Sequence, residues 1–222
     1  MDPKTADLIW QDDGSPRSVQ FDDPYFSASG GLAETRHVFL AGNNLPARFR
    51  EGFHIAELGF GTGLNLLAAW QAWQASGTNG PLRFTSFEAF PLSRTDMQKA
   101  LATWAELAAF SAPLLAAWPC TQLRLPSLHF DLIIGDARTT LPAWLGTADA
   151  WFLDGFSPSK NPELWSDALM ASVGQHTKPR GSFATYTAAG HVRRALAAAG
   201  FDAARTKGYG RKRHMSLGKM PP

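Results

Sequence analysis

Cysteine is nearly absent from this chain: Cys120 stands alone among 222 residues. A disulfide framework needs pairs and a thiolate metal cluster needs several ligands, so both are excluded. A reducing compartment, the cytoplasm, is the default expectation. Long apolar runs are missing as well. No segment approaches the roughly 18 uninterrupted apolar residues of a membrane-spanning helix, so no membrane partner is expected. The opening Met1-Asp2-Pro3-Lys4 lacks a basic stretch followed by an apolar core, the mark of a secretory leader. His37, His54, His129, His176, His191 and His214 are scattered, with no cluster of cysteines or carboxylates around them, so no metal site is expected. Repeats and low-complexity stretches are also lacking.

Charge is present but lopsided. The net charge is only +2, yet residues 1–170 hold 11 Lys/Arg against 18 Asp/Glu, net −7. Residues 171–222 hold 10 Lys/Arg against Asp202 alone, net +9. A basic final quarter suggests a face for a polyanion; the plainer alternative is a solvated surface that happens to be basic. The length suits one sizeable α/β domain.

Short apolar runs alternate with longer helical segments, the pattern of βαβ units and a mostly parallel sheet. The spacing predicts strands over 53–58, 82–89, 121–125, 128–135, 148–153, 181–187, 201–207 and 214–220. Helices are expected over 64–75, from a Ser93 cap to about 104, over 139–145, from an Asn161 cap with Pro162 at its first position, and over 190–199. Pro113 should break the apolar stretch that follows the second helix. Residues 1–50 read as an N-terminal extension, a small hairpin packing over the mouth of a 51–222 core.

The sharpest motif is Glu57-Leu58-Gly59-Phe60-Gly61-Thr62-Gly63, between an apolar strand and a helix. Glycines there allow a tight turn and close approach of a ligand. A dinucleotide fingerprint would need glycine at 64, where the chain has Leu64. The spacing acid-x-G-x-G-x-G is that of loops binding S-adenosyl-L-methionine (SAM), so Glu57, Gly59, Gly61, Thr62 and Gly63 are the cofactor candidates. A carboxylate such as Glu57 suits the sulfonium and amino charges of SAM. The alternatives are a nicotinamide cofactor or a ligand-free turn. Glu88 ends the second strand, where an acid can accept from both ribose hydroxyls. Asp136 follows the 128–135 strand, where a carboxylate can accept from the adenine amino group. Five β/α steps closed by a hairpin make seven main strands, the last antiparallel. That is the Rossmann-like α/β sheet of class I SAM-dependent methyltransferases.

The 148–153 strand runs into Asp154-Gly155-Phe156-Ser157-Pro158, which resembles the D-P-P-Y type sequence of amine methyltransferases. Asp154 is the candidate to orient the amine and take its proton; Phe156 is the candidate to pack on the substrate base or the departing methyl. Such an enzyme mainly holds a neutral amine in line with the sulfonium carbon, at about 3–3.5 Å. No strand end carries a cysteine nucleophile of the kind used for pyrimidine carbon-5 methylation, so nitrogen is the favoured acceptor. The bland reading of Asp154 is a turn acid after a strand.

Longer strings then resemble a specific family. They are the 21–27 stretch FDDPYFS, the 31–36 stretch GLAETR, the 59–65 stretch GFGTGLN, the 151–162 stretch WFLDGFSPSKNP, the 186–194 stretch YTAAGHVRR and the 208–213 stretch GYGRKR. All are similar to the methyltransferase half of the bifunctional MnmC proteins, from about residue 8 to residue 220. The resemblance implies methyl transfer from SAM to the 5-aminomethyl nitrogen of the tRNA wobble uridine, giving 5-methylaminomethyl-2-thiouridine. Carried over residue by residue, it implies that Glu57, Gly59, Gly61, Gly63 and Glu88 hold SAM and that Asp154 faces the amine. Lys160, Arg193, Arg194, Arg211, Lys212 and Arg213 become candidates for anticodon stem-loop phosphates, and Tyr209 for stacking on a splayed base. The bifunctional proteins continue into a flavin-dependent oxidoreductase that exposes the amine. A chain ending at Pro222 implies a stand-alone enzyme or a domain cut from a longer protein, with the aminomethyl uridine supplied by a separate oxidoreductase or another source. Two other readings are a methyltransferase of a small-molecule or protein amine and an inactive RNA-binding module.

Overall fold

The computed structural model describes residues 5–27 and 30–222; Met1–Lys4, read above for a leader, lie outside the described residues. The chain opens with a small antiparallel sheet of β1 (Leu8–Trp10), β2 (Pro16–Ser18) and β3 (Asp23–Pro24). Helix α1 (Gly31–Thr35) follows and continues through a π turn at Arg36–Leu40 and a 3-10 turn at Ala41–Asn43. The alternating part comprises β4 (His54–Leu58), α2 (Leu64–Ser76), β5 (Leu82–Glu88), α3 (Arg94–Leu101), α4 (Ala108–Ala117), β6 (Gln122–Leu125) and β7 (Leu128–Ile134). It continues with α5 (Ala137–Thr140), β8 (Ala148–Leu153), α6 (Asp167–Gln175), β9 (Thr177–Thr185), α7 (Gly190–Ala198), β10 (Asp202–Lys207) and β11 (His214–Lys219).

Eight strands form the main sheet in the order β10-β11-β9-β8-β4-β5-β7-β6. β7, β5, β4, β8 and β9 are mutually parallel. β11 lies antiparallel between β9 and β10, as expected of the last strand. β6 is an additional antiparallel edge strand on β7. Every residue of β4 and β8 is buried, because helices cover both sheet faces; the polar members His54, Glu57 and Asp149 are each hydrogen-bonded there. Side chains alternate between the two layers. Ile55 and Phe152 pack with Leu66, Leu67 and Trp73 of α2 on one face. Ala56, Trp151 and Leu153 pack with Val173 of α6 and Val192 and Leu196 of α7 on the other. Among the described residues, no single helix is long and apolar enough to cross a membrane.

Several local expectations are corrected. Pro113 sits inside α4 and does not break it, because Leu114 is fully buried and tertiary packing outweighs the lost backbone bond. Asn161 makes no side-chain cap: Pro162–Trp165 is a single 3-10 turn, and α6 starts after Ser166, whose hydroxyl accepts from the Leu169 N–H. The short helix expected at 139–145 forms earlier, over Ala137–Thr140, because the Asp136 side chain caps it. β9 begins and ends earlier than the 181–187 reading, which leaves Tyr186 and Thr187 just past its end.

The strand order reverses between β4, which neighbours β5, and β8. Open α/β sheets bind ligands in the crevice outside the carboxyl ends of strands at such a point.

Candidate active site

A cavity of about 1040 Å³ opens at that crevice. Its floor is the glycine loop after β4. Gly59 has φ +88, and a Cβ there would clash with the backbone carbonyl of Asp154. The Asp154 N–H donates to Leu58 O at 3.0 Å and the Gly59 N–H to Phe87 O at 3.0 Å. Glycine at 59 therefore brings the turns after β4 and β8 into direct backbone contact. The Gly61 N–H donates to Glu88 Oε2 at 3.0 Å, and the Phe90 N–H donates to Glu88 Oε1 at 2.8 Å. Glu88 thus faces the cavity with its carboxylate already oriented. Thr62 also lines the cavity. Gly63 does not; it turns the chain into α2 with φ +79, tightly against the Phe60 ring.

Asp154 lies opposite Glu88 in this cavity. Its Oδ2 accepts from Asn65 Nδ2 at 2.7 Å, and the same amide nitrogen donates to Glu57 Oε1 at 2.9 Å. Asn65 Oδ1 accepts from the Thr35 hydroxyl at 2.9 Å, so the amide cannot swivel without losing three bonds. Burial pushes the Asp154 carboxyl up to about 7; the Asn65 hydrogen bond and the Lys212 charge act against the shift, and Glu34 adds to it. Glu57, expected at the cofactor, is not among the residues lining the cavity. Glu57 is completely buried behind the cavity wall, and its Oε2 accepts from Ser86 Oγ at 2.7 Å. Desolvation holds its carboxyl well above the usual range, and it is tied to the cavity through Asn65 and through charge repulsion with Asp154 and Glu88.

The turn after Asp154 is clamped by the N-terminal segment. The Phe156 ring stacks on Phe21 at 4.8 Å and meets the edge of Tyr25 at 5.1 Å. The Ser157 N–H donates to Asp23 Oδ2 at 2.8 Å, the Trp165 indole to Phe156 O at 2.8 Å, and the Tyr186 hydroxyl to Gly155 O at 2.7 Å. Lys160 is not a free phosphate contact: its ammonium donates to the Asp22 carboxylate at 2.8 Å and to the Asp22 carbonyl. Those bonds from Lys160 are the main reason that Asp22 titrates below the usual carboxylate range.

Asp136 lines the cavity, but its carboxylate also caps α5 and grips Arg138 through both oxygens. Any adenine contact would have to share those oxygens. Of the basic group, Arg194, Arg211 and Arg213 are exposed and, among the described residues, in no ion pair. Arg193 is partly buried and donates to Ala188 O at 3.2 Å. Tyr209 packs beside His37, with ring centroids 5.8 Å apart. Lys212 departs furthest from expectation. It turns inward to Glu34 Oε1 at 2.7 Å, with its ammonium 4.3 Å over the Tyr186 ring.

Asn65, Glu34 and Tyr186 escaped the sequence reading. For Asn65 the signal was available: an amide on the otherwise apolar, buried face of α2 needs partners. For Glu34 and Tyr186 nothing local marks the role, because their partners lie far along the chain.

The residues present fit SAM. A glycine floor without Cβ atoms and a carboxylate at the end of β5 suit a nucleoside, and the volume leaves room beside it for an acceptor group. Comparisons with known proteins point the same way. A family described as S-adenosyl-L-methionine-dependent methyltransferase matches residues 100–221. The tRNA 5-methylaminomethyl-2-thiouridine biosynthesis bifunctional protein MnmC of Aeromonas hydrophila subsp. hydrophila is 48% identical over 233 residues, covering 96% of this chain and 35% of that protein. Its namesake from Chromobacterium violaceum is 48% identical over 226 residues, covering 96% and 34%. The chain thus spans about a third of the length of these relatives. The crystal structure of MNMC2 from Aquifex aeolicus superposes with a TM-score of 0.76 at 25% identity, covering 100% of this chain and 73% of that one.

Proposed function

The chain belongs to the S-adenosyl-L-methionine-dependent methyltransferase family, and from that premise we propose that it methylates the nitrogen of a 5-aminomethyl group on the wobble uridine of tRNA. The product is 5-methylaminomethyl-uridine or its 2-thio form. The names of the relatives in Aeromonas and Chromobacterium support this substrate, as does the resemblance of the 151–162 and 208–213 strings. On this reading the amine comes from a flavin-dependent oxidoreductase, in the same polypeptide or another, and the work is done in the cytoplasm.

One observation carries the chemistry: a carboxylate at the end of β8, held by Asn65 in the cavity and poised near neutrality at about 7. SAM supplies an electrophilic methyl on a sulfonium. The acceptor amine arrives as a cation and has to lose a proton before its lone pair is available. Asp154 accepts a hydrogen bond from that nitrogen and takes the proton. A base with an affinity near the working pH is the most effective one. Phe156, backed by Phe21 and Tyr25, offers an apolar wall for the base. Glu88 receives the ribose hydroxyls, Gly59 and Gly61 let the nucleoside approach the backbone, and Asp136 shares its oxygens with the adenine amino group. Arg194, Arg211 and Arg213 take tRNA phosphates, and Tyr209 a splayed base. Residues 1–50 serve as an extension that completes the acceptor wall of the 51–222 core.

The test is Asp154→Ala with 5-aminomethyluridine tRNA, read by nucleoside mass analysis. SAM and tRNA binding should stay near normal while the rate drops by about 10²–10⁴, the scale of a general base. A wild-type rate would overturn the role of Asp154. Failure of the unaltered protein to methylate that tRNA would overturn the substrate.

A further inference from the structure

We propose that Lys212 is a positioning residue of the acceptor side of the cavity, held there by Glu34 and the Tyr186 ring, rather than a phosphate contact. The inference rests on the reading of Asp154 as proton acceptor. Three observations carry it. The Lys212 ammonium lies 2.7 Å from Glu34 Oε1, and the Glu34 side chain is only 11% exposed. The same ammonium sits 4.3 Å over the Tyr186 ring, whose hydroxyl donates to Gly155 O, the carbonyl next in the chain to Asp154. Glu34, Tyr186, Lys212 and Asp154 all line one cavity; Lys212 is the member of the 211–213 run that does so, although its side chain keeps 45% of its surface exposed. A lysine serving a polyanion leaves its ammonium free. This one is engaged by a largely buried carboxylate whose ion-pair partner, among the described residues, it is.

The consequence is electrostatic. A fixed cation beside the acceptor favours the carboxylate form of Asp154 and disfavours a second cation, the protonated amine, in the same space. Both effects keep the nitrogen lone pair free. Glu34 opposes Lys212, so the pair trims the field around Asp154. The other charged or titratable groups of the cavity include Glu57 behind it on β4, Glu88 on β5, Asp23 of β3, Tyr186 after β9, and Asp7, Asp136, Arg138 and Glu163. Of the two cations, Arg138 is gripped by both oxygens of Asp136, and Lys212 is the one whose charge acts on Asp154. No sequence feature separates it from its two neighbours in the 211–213 run; the fold does.

The experiment uses the whole chain with Lys212→Met, Lys212→Arg and Glu34→Gln. Aspartate labelled with ¹³C at the carboxyl reports the Asp154 titration by NMR without cofactor, assigned by the signal that Asp154→Asn removes. Methyl transfer to tRNA is followed against pH in parallel. Lys212→Met should move the Asp154 midpoint upward by about one pH unit, the scale of a neighbouring charge. The acid limb of kcat should follow, with KM for tRNA changed by less than about twofold. Glu34→Gln should move the midpoint the opposite way, and Lys212→Arg should restore it. An unmoved midpoint with a raised KM and a shallower salt dependence would make Lys212 a phosphate contact and overturn the proposal. Midpoints moving in the same direction in Lys212→Met and Glu34→Gln would overturn it too, since loss of structure does not depend on the sign of the charge removed. Midpoints moving as stated while kcat ignores them would uphold the placement of Lys212 and remove Asp154 from the chemistry.

Discussion

Asp154→Asn should make the folded protein more stable at alkaline pH while removing its capacity to take a proton. The Asp154 carboxyl binds its proton with an affinity of about 7 in the fold against an ordinary 3.8. Between those values the folded state holds a proton that the unfolded chain releases, so stability falls as pH rises through the window. Below about pH 4 both states are protonated and the cost is absent; above about pH 7 it is present in full. At about 1.4 kcal/mol per decade of proton affinity, the difference amounts to about 4 kcal/mol. Asparagine carries no such cost. It keeps a carbonyl for the Asn65 amide, now at 2.7 Å from Oδ2, but that bond loses its charge assistance, an offset of about 1 kcal/mol. A net gain of about 3 kcal/mol above pH 8, fading to nothing near pH 4, is the expected outcome. Urea unfolding of both proteins across that range measures it, because other titrating groups cancel in the difference. A difference that stays flat from pH 4.5 to 8.5, or an Asn variant less stable at the alkaline end, would refute the reasoning.

Other substitutions test the rest of the cavity. Glu88→Ala should weaken SAM binding by roughly 1.5–3 kcal/mol for each hydrogen bond lost from the carboxylate, measured by calorimetry; unchanged affinity would remove it from the cofactor site. The double change Arg211→Ala with Arg213→Ala should flatten the salt dependence of tRNA binding by about 0.7–0.9 in slope per lost contact, with kcat at saturation retained. A normal slope would make both residues mere surface charge. Gly59→Ala should cost at least about 1–3 kcal/mol through its backbone conformation alone, and more through the clash with Asp154 O. A thermal melt matching that of the unaltered protein would refute the close approach of the two loops.

The parts legible in the sequence are those set by local pattern. β4 and β8 are mostly apolar and buried on both faces, the Ser93 hydroxyl does accept from the Asp96 N–H, and the glycine spacing at 59–63 does form a strand-to-helix turn beside a cavity. Asp154 and Glu88 both line the cavity, as expected of strand ends that converge on one edge of the sheet. What stayed hidden depends on partners far along the chain. Lys160 pairs with Asp22 across 138 positions and Lys212 with Glu34 across 178, so neither pairing is visible in the charge run or motif that singled them out. Glu57 fits the spacing of a ligand-binding acid, yet Ser86 and Asn65 occupy it. Pro113 follows a rule of backbone propensity that packing at Leu114 overrides.

The two walls of the cavity have separate origins in the chain. The glycine loop, Glu88 and Asp136 descend from the strand ends of the sheet, whereas Phe21, Asp23, Tyr25 and Glu34 belong to the segment before it. The two walls are nonetheless joined: Tyr25 lies against Gly61 of the glycine loop and Phe21 packs on Phe90 just past β5. The opening segment is thus a bracket spanning both sides of the cavity, and its bonds to Ser157 and Lys160 are the points at which a replacement would have to be refastened.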